Sequence, residues 1–235
     1  MKKALSLILA LVLCFSLCAC FGGAEPTEPA APSVEDVYAQ LVEYAKSGQY
    51  LEAWRLCQKN RDVLTYQDAQ AYADYCEGMR AYDNGGIGFA AKTLKDIPHI
   101  LDAQATLDKI AQRIGGLNGY YVADNGMGSY LHLVIRDGLV ASEVIGYTDE
   151  NQTFDYNAED VYWQELVVST YTTGEEFVAI GRYSYLGAKI DKIDYVLNTF
   201  DDTSDIMVIK HESAEWTTLN GLYTKVAELE TAQAN

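Results

Sequence analysis

The sequence predicts an α+β protein with a helical N-terminal half and an antiparallel, barrel-like β C-terminal half. Three observations carry that reading. Apolar residues recur at helical spacing up to Ile114 and alternate from Leu117 onward. The run Asp68-Ala69-Gln70-Ala71 returns as Asp102-Ala103-Gln104-Ala105, an internal repeat. Finally, Asp137-Gly138 separates two alternating runs, Tyr130–Ile135 and Leu139–Ile145, which is a strong short-range hairpin signal.

The chain begins with Lys2-Lys3 and then an apolar stretch, Ala4 to Ala19, interrupted by Ser6 and Ser16. A basic start before a short apolar run is the layout of a secretory signal peptide. The stretch falls short of the ~20 residues a helix needs to cross a bilayer. It ends in Leu17-Cys18-Ala19-Cys20, which resembles the lipobox of bacterial lipoproteins: an aliphatic residue, a filler, a small residue, then cysteine. The resemblance implies cleavage after residue 19, a diacylglycerol thioether on Cys20, and an extracytoplasmic protein held to the cell membrane by that lipid. Two acyl chains anchor stably where one binds only marginally. Residues 20–33 hold Gly22, Gly23, Pro26, Pro29 and Pro32 without periodicity and read as a spacer.

The formal charge is −17, and loss of Lys2 and Lys3 with the signal takes it to −19. Phosphate backbones demand a basic footprint, so nucleic acid is not an expected partner.

Residues 34–114 predict five helices. Ser33 and Asp36 suit a helix start, with Val37, Leu41, Tyr44 and Ala45 at helical spacing. Later helices are expected over Tyr50–Asn60, Gln67–Tyr82, Phe89–Ile97 and Leu101–Ile114, the last closed by Gly115-Gly116. The repeat interval of 34 residues (68 to 102), together with Gly48-Gln49-Tyr50-Leu51-Glu52-Ala53-Trp54, resembles a tetratricopeptide repeat, with Gly86 to Ala91 as a degenerate second copy. That resemblance implies a surface for docking an envelope protein partner; a helical domain that merely packs is the alternative. Cys57 and Cys76 fall on successive helices. They either form a disulfide, as an exported chain allows, or stay buried as thiols.

Residues 117–226 predict about eight strands, and 227–235 form a tail. Strands are expected at Tyr162–Thr170, Glu176–Tyr185, Ile190–Thr199 and Ile206–His211, separated by turn clusters such as Thr172-Thr173-Gly174 and Asp201-Asp202-Thr203-Ser204-Asp205. The ends are alike: Leu117-Asn118-Gly119-Tyr120-Tyr121 opens the segment and Leu219-Asn220-Gly221-Leu222-Tyr223 closes it. Pairing of these ends would close the sheet and remove its edges. Gly119-Tyr120-Tyr121 resembles the opening of a lipocalin, with Tyr121 where that family has tryptophan. A lipocalin-like barrel implies a mouth for a small apolar or aromatic ligand, and Tyr121, Tyr130, His132, Trp163, Tyr183 and Tyr185 are the candidate lining. Alternatively, these rings fill the core or cover the sheet.

No catalytic set, cofactor motif or metal-ligand spacing stands out. His99, His132 and His211 form no metal or hydrolase motif. His132 alternates with Leu131 and Leu133 and so faces away from them. The acidic stretch Asp149, Glu150, Asp155, Glu159 and Asp160 has no readable geometry. The resulting expectation is a non-enzymatic, lipid-anchored envelope protein; a surface hydrolase of cell-wall or glycan substrates is the alternative, and a transport-linked binding protein a third.

Replacing Cys20 with alanine is expected to release the protein from the membrane fraction or leave its precursor unprocessed. Membrane fractionation with immunoblotting reads the outcome, and unchanged retention of a processed protein would overturn the lipoprotein reading.

Overall fold

The computed structural model describes residues 31–146, 153–200, 203–212 and 219–227. The expected signal peptide, Cys20 and nearly all of the expected spacer lie outside these residues, as do Asp149, Glu150, Asp201, Asp202 and residues 228–235. From Val34 onward the chain forms one compact unit, so the helical and β segments share a single body.

Five α-helices come first: α1 (Val34–Lys46), α2 (Tyr50–Lys59), α3 (Ala69–Asp83), α4 (Ile87–Leu94) and α5 (Ala103–Ile114). A 3-10 turn, Arg61–Thr65, follows α2, and another, Gly115–Leu117, follows α5. Two helical hairpins, α1–α2 and α3–α4, repeat each other closely. Gly48 makes the first hairpin turn at φ +73° and Gly85 the second at φ +80°. The next residue starts the helix in the same conformation, Gln49 at φ −86°, ψ 57° and Gly86 at φ −81°, ψ 61°. Ala53 and Ala90, four residues further on, are both fully buried where the paired helices approach. The hairpins are thus offset by 37 residues (48 to 85), and Gly85 and Ala90 are the equivalents of Gly48 and Ala53. The sequence register through Gly86 and Ala91 is displaced by one.

The starts of α3 and α5 also correspond. Gln67 (φ 47°) and Leu101 (φ 46°) both take the left-handed conformation. Asp68 and Asp102 follow as N-caps, but their side chains bond no N–H of their own helix. Instead each accepts from a tyrosine of the preceding hairpin: Tyr38 Oη donates to Asp68 Oδ1 at 2.5 Å, and Tyr75 donates to Asp102 Oδ1. Tyr38 and Tyr75 are themselves 37 residues apart. The shorter interval of 34 between the aspartates arises because α4 is two residues shorter than α2 and the connection after it one residue shorter than the one after α2, which holds the 3-10 turn Arg61–Thr65.

Eight antiparallel strands then close into a barrel in sequence order: β1 (Gly119–Asp124), β2 (Ser129–Arg136), β3 (Leu139–Gly146), β4 (Gln164–Thr170), β5 (Glu176–Ser184), β6 (Lys189–Thr199), β7 (Ile206–Lys210) and β8 (Gly221–Ala227). The expected hairpin turns at Asp137-Gly138 (φ 52° and 81°) and the β1–β8 closure are both present. Tyr162 and Trp163 lie before β4 rather than within it.

The like ends of the β segment have one structure. Tyr121 Oη donates to the carbonyl of Leu117 at 2.7 Å, and Tyr223 Oη to that of Leu219 at 3.0 Å. Asn118 Oδ1 accepts the N–H of Asp137, and Asn220 Oδ1 that of Lys210. Since β1 and β8 run antiparallel and each motif sits at its strand's start, the two tyrosines are tied in from opposite barrel ends. Both are fully buried and share the interior with Leu131, Leu133, Ile135 and Ile180. The barrel is filled by side chains, as small barrels commonly are.

Barrel and helices join at β4. Among the described residues only two pairs link β3 to β4, Leu139↔Glu165 and Val140↔Gln164. Past them the edge of β4 that β3 no longer pairs continues to find acceptors: Leu166 N–H donates to Gly138 O and Val168 N–H to Gly85 O, both at 2.7 Å. The α3–α4 turn therefore stands where β3 has ended. Approach this close leaves no room for side chains. A Cβ on Gly85 would lie 2.1 Å from Val168 O, and one on Gly88 would lie 2.4 Å from Gly138 O. The barrel core accordingly runs on into Ile87, Ala91, Ile110 and Ile114, while a second core lies within the helices around Leu41, Ala53, Tyr75 and Leu94.

Gly85→Ala is expected to destabilise the protein by about 3 kcal/mol or more, combining left-handed strain with loss of the Val168 bond. Gly126→Ala, at φ +69° with nothing within 4 Å, should lose only about 1–2 kcal/mol from strain alone. Urea unfolding followed by circular dichroism checks both, and equal losses would contradict this account of the junction.

Candidate functional site

Five of the six rings expected to line a barrel mouth occupy three separate places. Tyr121 is inside the barrel. His132 lies on the outer face of β2, in the environment of Tyr120, and Trp163 packs in the neighbouring outer cluster around Val134 and Phe154. Tyr183 packs against Gly86 and, with Tyr185, against Phe89 of α4, the Tyr185 and Phe89 rings stacked at 6.2 Å. Tyr130 is half-buried on β2. They do not converge on one cavity.

The outer cluster is a latch. The segment 153–163 lies over β1, β2 and β3, with Phe154 and Trp163 packed near Val134, Ala141 and Ile145. Tyr120 Oη accepts the Phe154 N–H at 3.0 Å and lies 2.6 Å from His132 Nδ1. The direction of that bond follows the His132 tautomer, and the other ring nitrogen is Nε2. That atom is buried without a partner. Burial lowers the His132 pKa from its ordinary 6.5, opposed by Glu143, its cross-strand neighbour on β3. Arg136 lies over Trp163 at 5.2 Å and Tyr156 at 5.8 Å, adding cation–π contacts on the same side.

Cys57 and Cys76 are both buried free thiols, with no disulfide between them. Burial pushes Cys57 up to about 11 and Cys76 up to about 12, so both remain protonated and unreactive at neutral pH.

On the helical side, repetition extends to the surface. Gln70 Nε2 donates to Asp74 Oδ1 at 2.7 Å on α3, and Gln104 Nε2 to Asp108 Oδ1 at 2.9 Å on α5. Asp74 is held above the usual carboxylate range by burial and by Asp96, against the Gln70 bond. Glu77 is raised by burial and by Asp74, against Arg80. Negative charge is thus crowded on this face.

A cleft of about 720 Å³ opens where α5, the Gly115–Leu117 turn and the β4–β5 and β6–β7 hairpins meet. Its floor includes the buried Leu117, Val168, Leu197 and Ile206. Tyr171 and Phe177, with ring centroids 4.3 Å apart, and the part-exposed Phe200 supply its aromatic wall. Arg113 of α5 reaches Glu176 of β5 at 2.5 Å beside it. Sequence reasoning missed this site because its residues come from three stretches far apart in the chain, 112–117, 168–178 and 197–206. The turn clusters of both hairpins were legible, but not their meeting with α5.

No family model, curated protein sequence or solved structure matches the chain. Among the described residues no helix is long and apolar enough to cross a membrane, and no group of three or more His, Cys, Asp or Glu side chains is placed to hold a metal ion.

Because the folded state binds His132's proton less readily than the unfolded chain, this residue's contribution to stability is intact above pH 6.5. It is lost as the pH falls from 6.5 toward the folded-state pKa. The stability difference between wild type and His132→Gln should therefore grow from about pH 5 to about pH 7.5. Denaturation at several pH values measures it; a difference that is flat or shrinks with pH would contradict the latch geometry.

Proposed function

We propose that this is a lipid-anchored cell-envelope protein that binds rather than catalyses. Its tetratricopeptide-like helical module docks a protein partner, and its lipocalin-like barrel is the scaffold and ligand-binding module. The lipid on Cys20 and the spacer to Ser33 hold the body at the extracytoplasmic face of the membrane.

The observation that carries the docking reading is the repetition of the helical surface along with the helical core. The turn glycines, buried alanines and Tyr–Asp clamps recur to set hairpin on hairpin. Recurrence of Gln70–Asp74 as Gln104–Asp108 gives α3 and α5 the same outward chemistry. Stacked helical hairpins commonly present such surfaces to peptides. Asp74 and Asp108 put a carboxylate at the same place on α3 and α5, and a basic docking segment in the partner complements them. The chain's net charge of −17 acts in the same direction at long range.

A pull-down of the anchored protein from its native membrane is expected to recover a partner with a basic exposed segment, less efficiently as salt is raised. The double reversal Asp74→Lys and Asp108→Lys should abolish recovery while leaving circular dichroism and thermal unfolding close to wild type. Failure to recover any partner above background, or equal recovery by the charge-reversed variant, would count against docking through this face.

A further inference from the structure

We infer that the cleft between α5 and the β4–β5 and β6–β7 hairpins is a binding site for an uncharged, ring-bearing amphiphile. The inference rests on the ligand-binding reading of the β module, and it names both the place and the ligand class. With the barrel interior filled, the ligand sits outside the barrel, at its helix-side end.

Each property of the ligand follows from a part of the lining. The floor is aliphatic and buried (Leu117, Val168, Leu197 and Ile206), so the inserted part is apolar and gains from leaving water. The wall holds Tyr171 beside Phe177, and Phe200 lies on the lining too. Tyr171 and Phe200 are 45% and 41% exposed, leaving aromatic surface free for an offset or edge contact with a ring. Around this apolar part stand neutral hydrogen-bonding groups, including the Gln112 and Asn198 amides and the Thr199 and Thr203 hydroxyls. These suit hydroxyl or carbonyl groups on the ligand's outer side.

Charge excludes the anionic version of such a ligand. Arg113 is the cation of the lining, and Glu176 engages it at 2.5 Å. Asp205 adds a second carboxylate to the lining, and the whole chain carries −17. An anion would have to displace Glu176 from Arg113 and leave that carboxylate unpaired in an already negative field. A volume of about 720 Å³ lies within the ordinary range for small-molecule sites. Because the walls come from both α5 and the barrel hairpins, a bound ligand bridges the two halves of the body beside the Arg113–Glu176 pair.

Phenyl β-D-glucopyranoside serves as the neutral probe, a flat ring carrying an uncharged hydroxyl fringe, and benzoate as the anion with the same ring. Saturation-transfer NMR on the full-length lipidated protein in nanodiscs is expected to show saturable binding of the glucoside in the millimolar range or tighter. Its ring protons should receive the strongest transfer, and benzoate should bind at least tenfold more weakly. Tyr171→Ala combined with Phe200→Ala should weaken glucoside binding at least tenfold, while Tyr162→Ala, at an exposed tyrosine elsewhere, leaves it unchanged. Retained thermal unfolding of all variants keeps the comparison free of misfolding. Absence of glucoside binding, benzoate binding as tight, or undiminished binding in the double variant would overturn the inference. None of these outcomes bears on membrane retention or partner recovery, which test the anchor and the docking face separately.

Discussion

One hydrogen bond explains why two halves with different periodicities make one body: the N–H of Val168 to the carbonyl of Gly85. A barrel strand whose neighbour ends after two paired residues would present bare N–H groups, and an unpaired edge invites misassembly. Here the edge passes from β3 to the Gly138 turn and then to a helical turn. The bond alone contributes only about 1 kcal/mol net, but leaving the buried N–H unmet would cost about 1–3 kcal/mol. The approach it requires fixes Gly85, Gly88 and Gly138 as glycines. It also seats Ile87 and Ala91 on the barrel core, so the strand edge, the helical turn and the shared core depend on one another.

Much of the architecture was legible in the sequence because it is local. The change of period near Leu117, the Asp137-Gly138 hairpin and the turn clusters gave the helices and strands to within a few residues. The like ends around Tyr121 and Tyr223 predicted a closed sheet, and the structure adds the reason for the likeness: each tyrosine bonds back to the leucine carbonyl four residues earlier. What was not legible is non-local. Gly85-Gly86-Ile87-Gly88 reads as a helix break. Nothing in its neighbours reveals that a strand edge some eighty residues later docks there. The repeat register slipped by one for the same reason, since Gly85 and Gly86 are equivalent in sequence and only φ tells them apart.

The candidate rings illustrate the same limit. Their abundance is visible in the sequence, and alternation placed His132 opposite Leu131 and Leu133, where the structure has it. Alternation says which residues share a face but not whether the face is a lumen, a covered flank or a seam. Tyr121, His132 and Tyr183 came out at one of each. The cleft beside Arg113 draws on helix end, turn and hairpins together, and it becomes visible only once Gly85 has brought α5 to the barrel. The ligand reading thus depends on the same junction as the fold.

Native-state hydrogen exchange at the Val168 amide tests that junction most directly. If the helical turn completes the strand edge, Val168 and Leu166 should exchange only through the global opening, with protection matching interior amides such as Leu133. Exchange of Val168 at the rate of exposed loop amides, while Leu133 stays protected, would mean that the halves fold separately and that Gly85 does not hold them as one body.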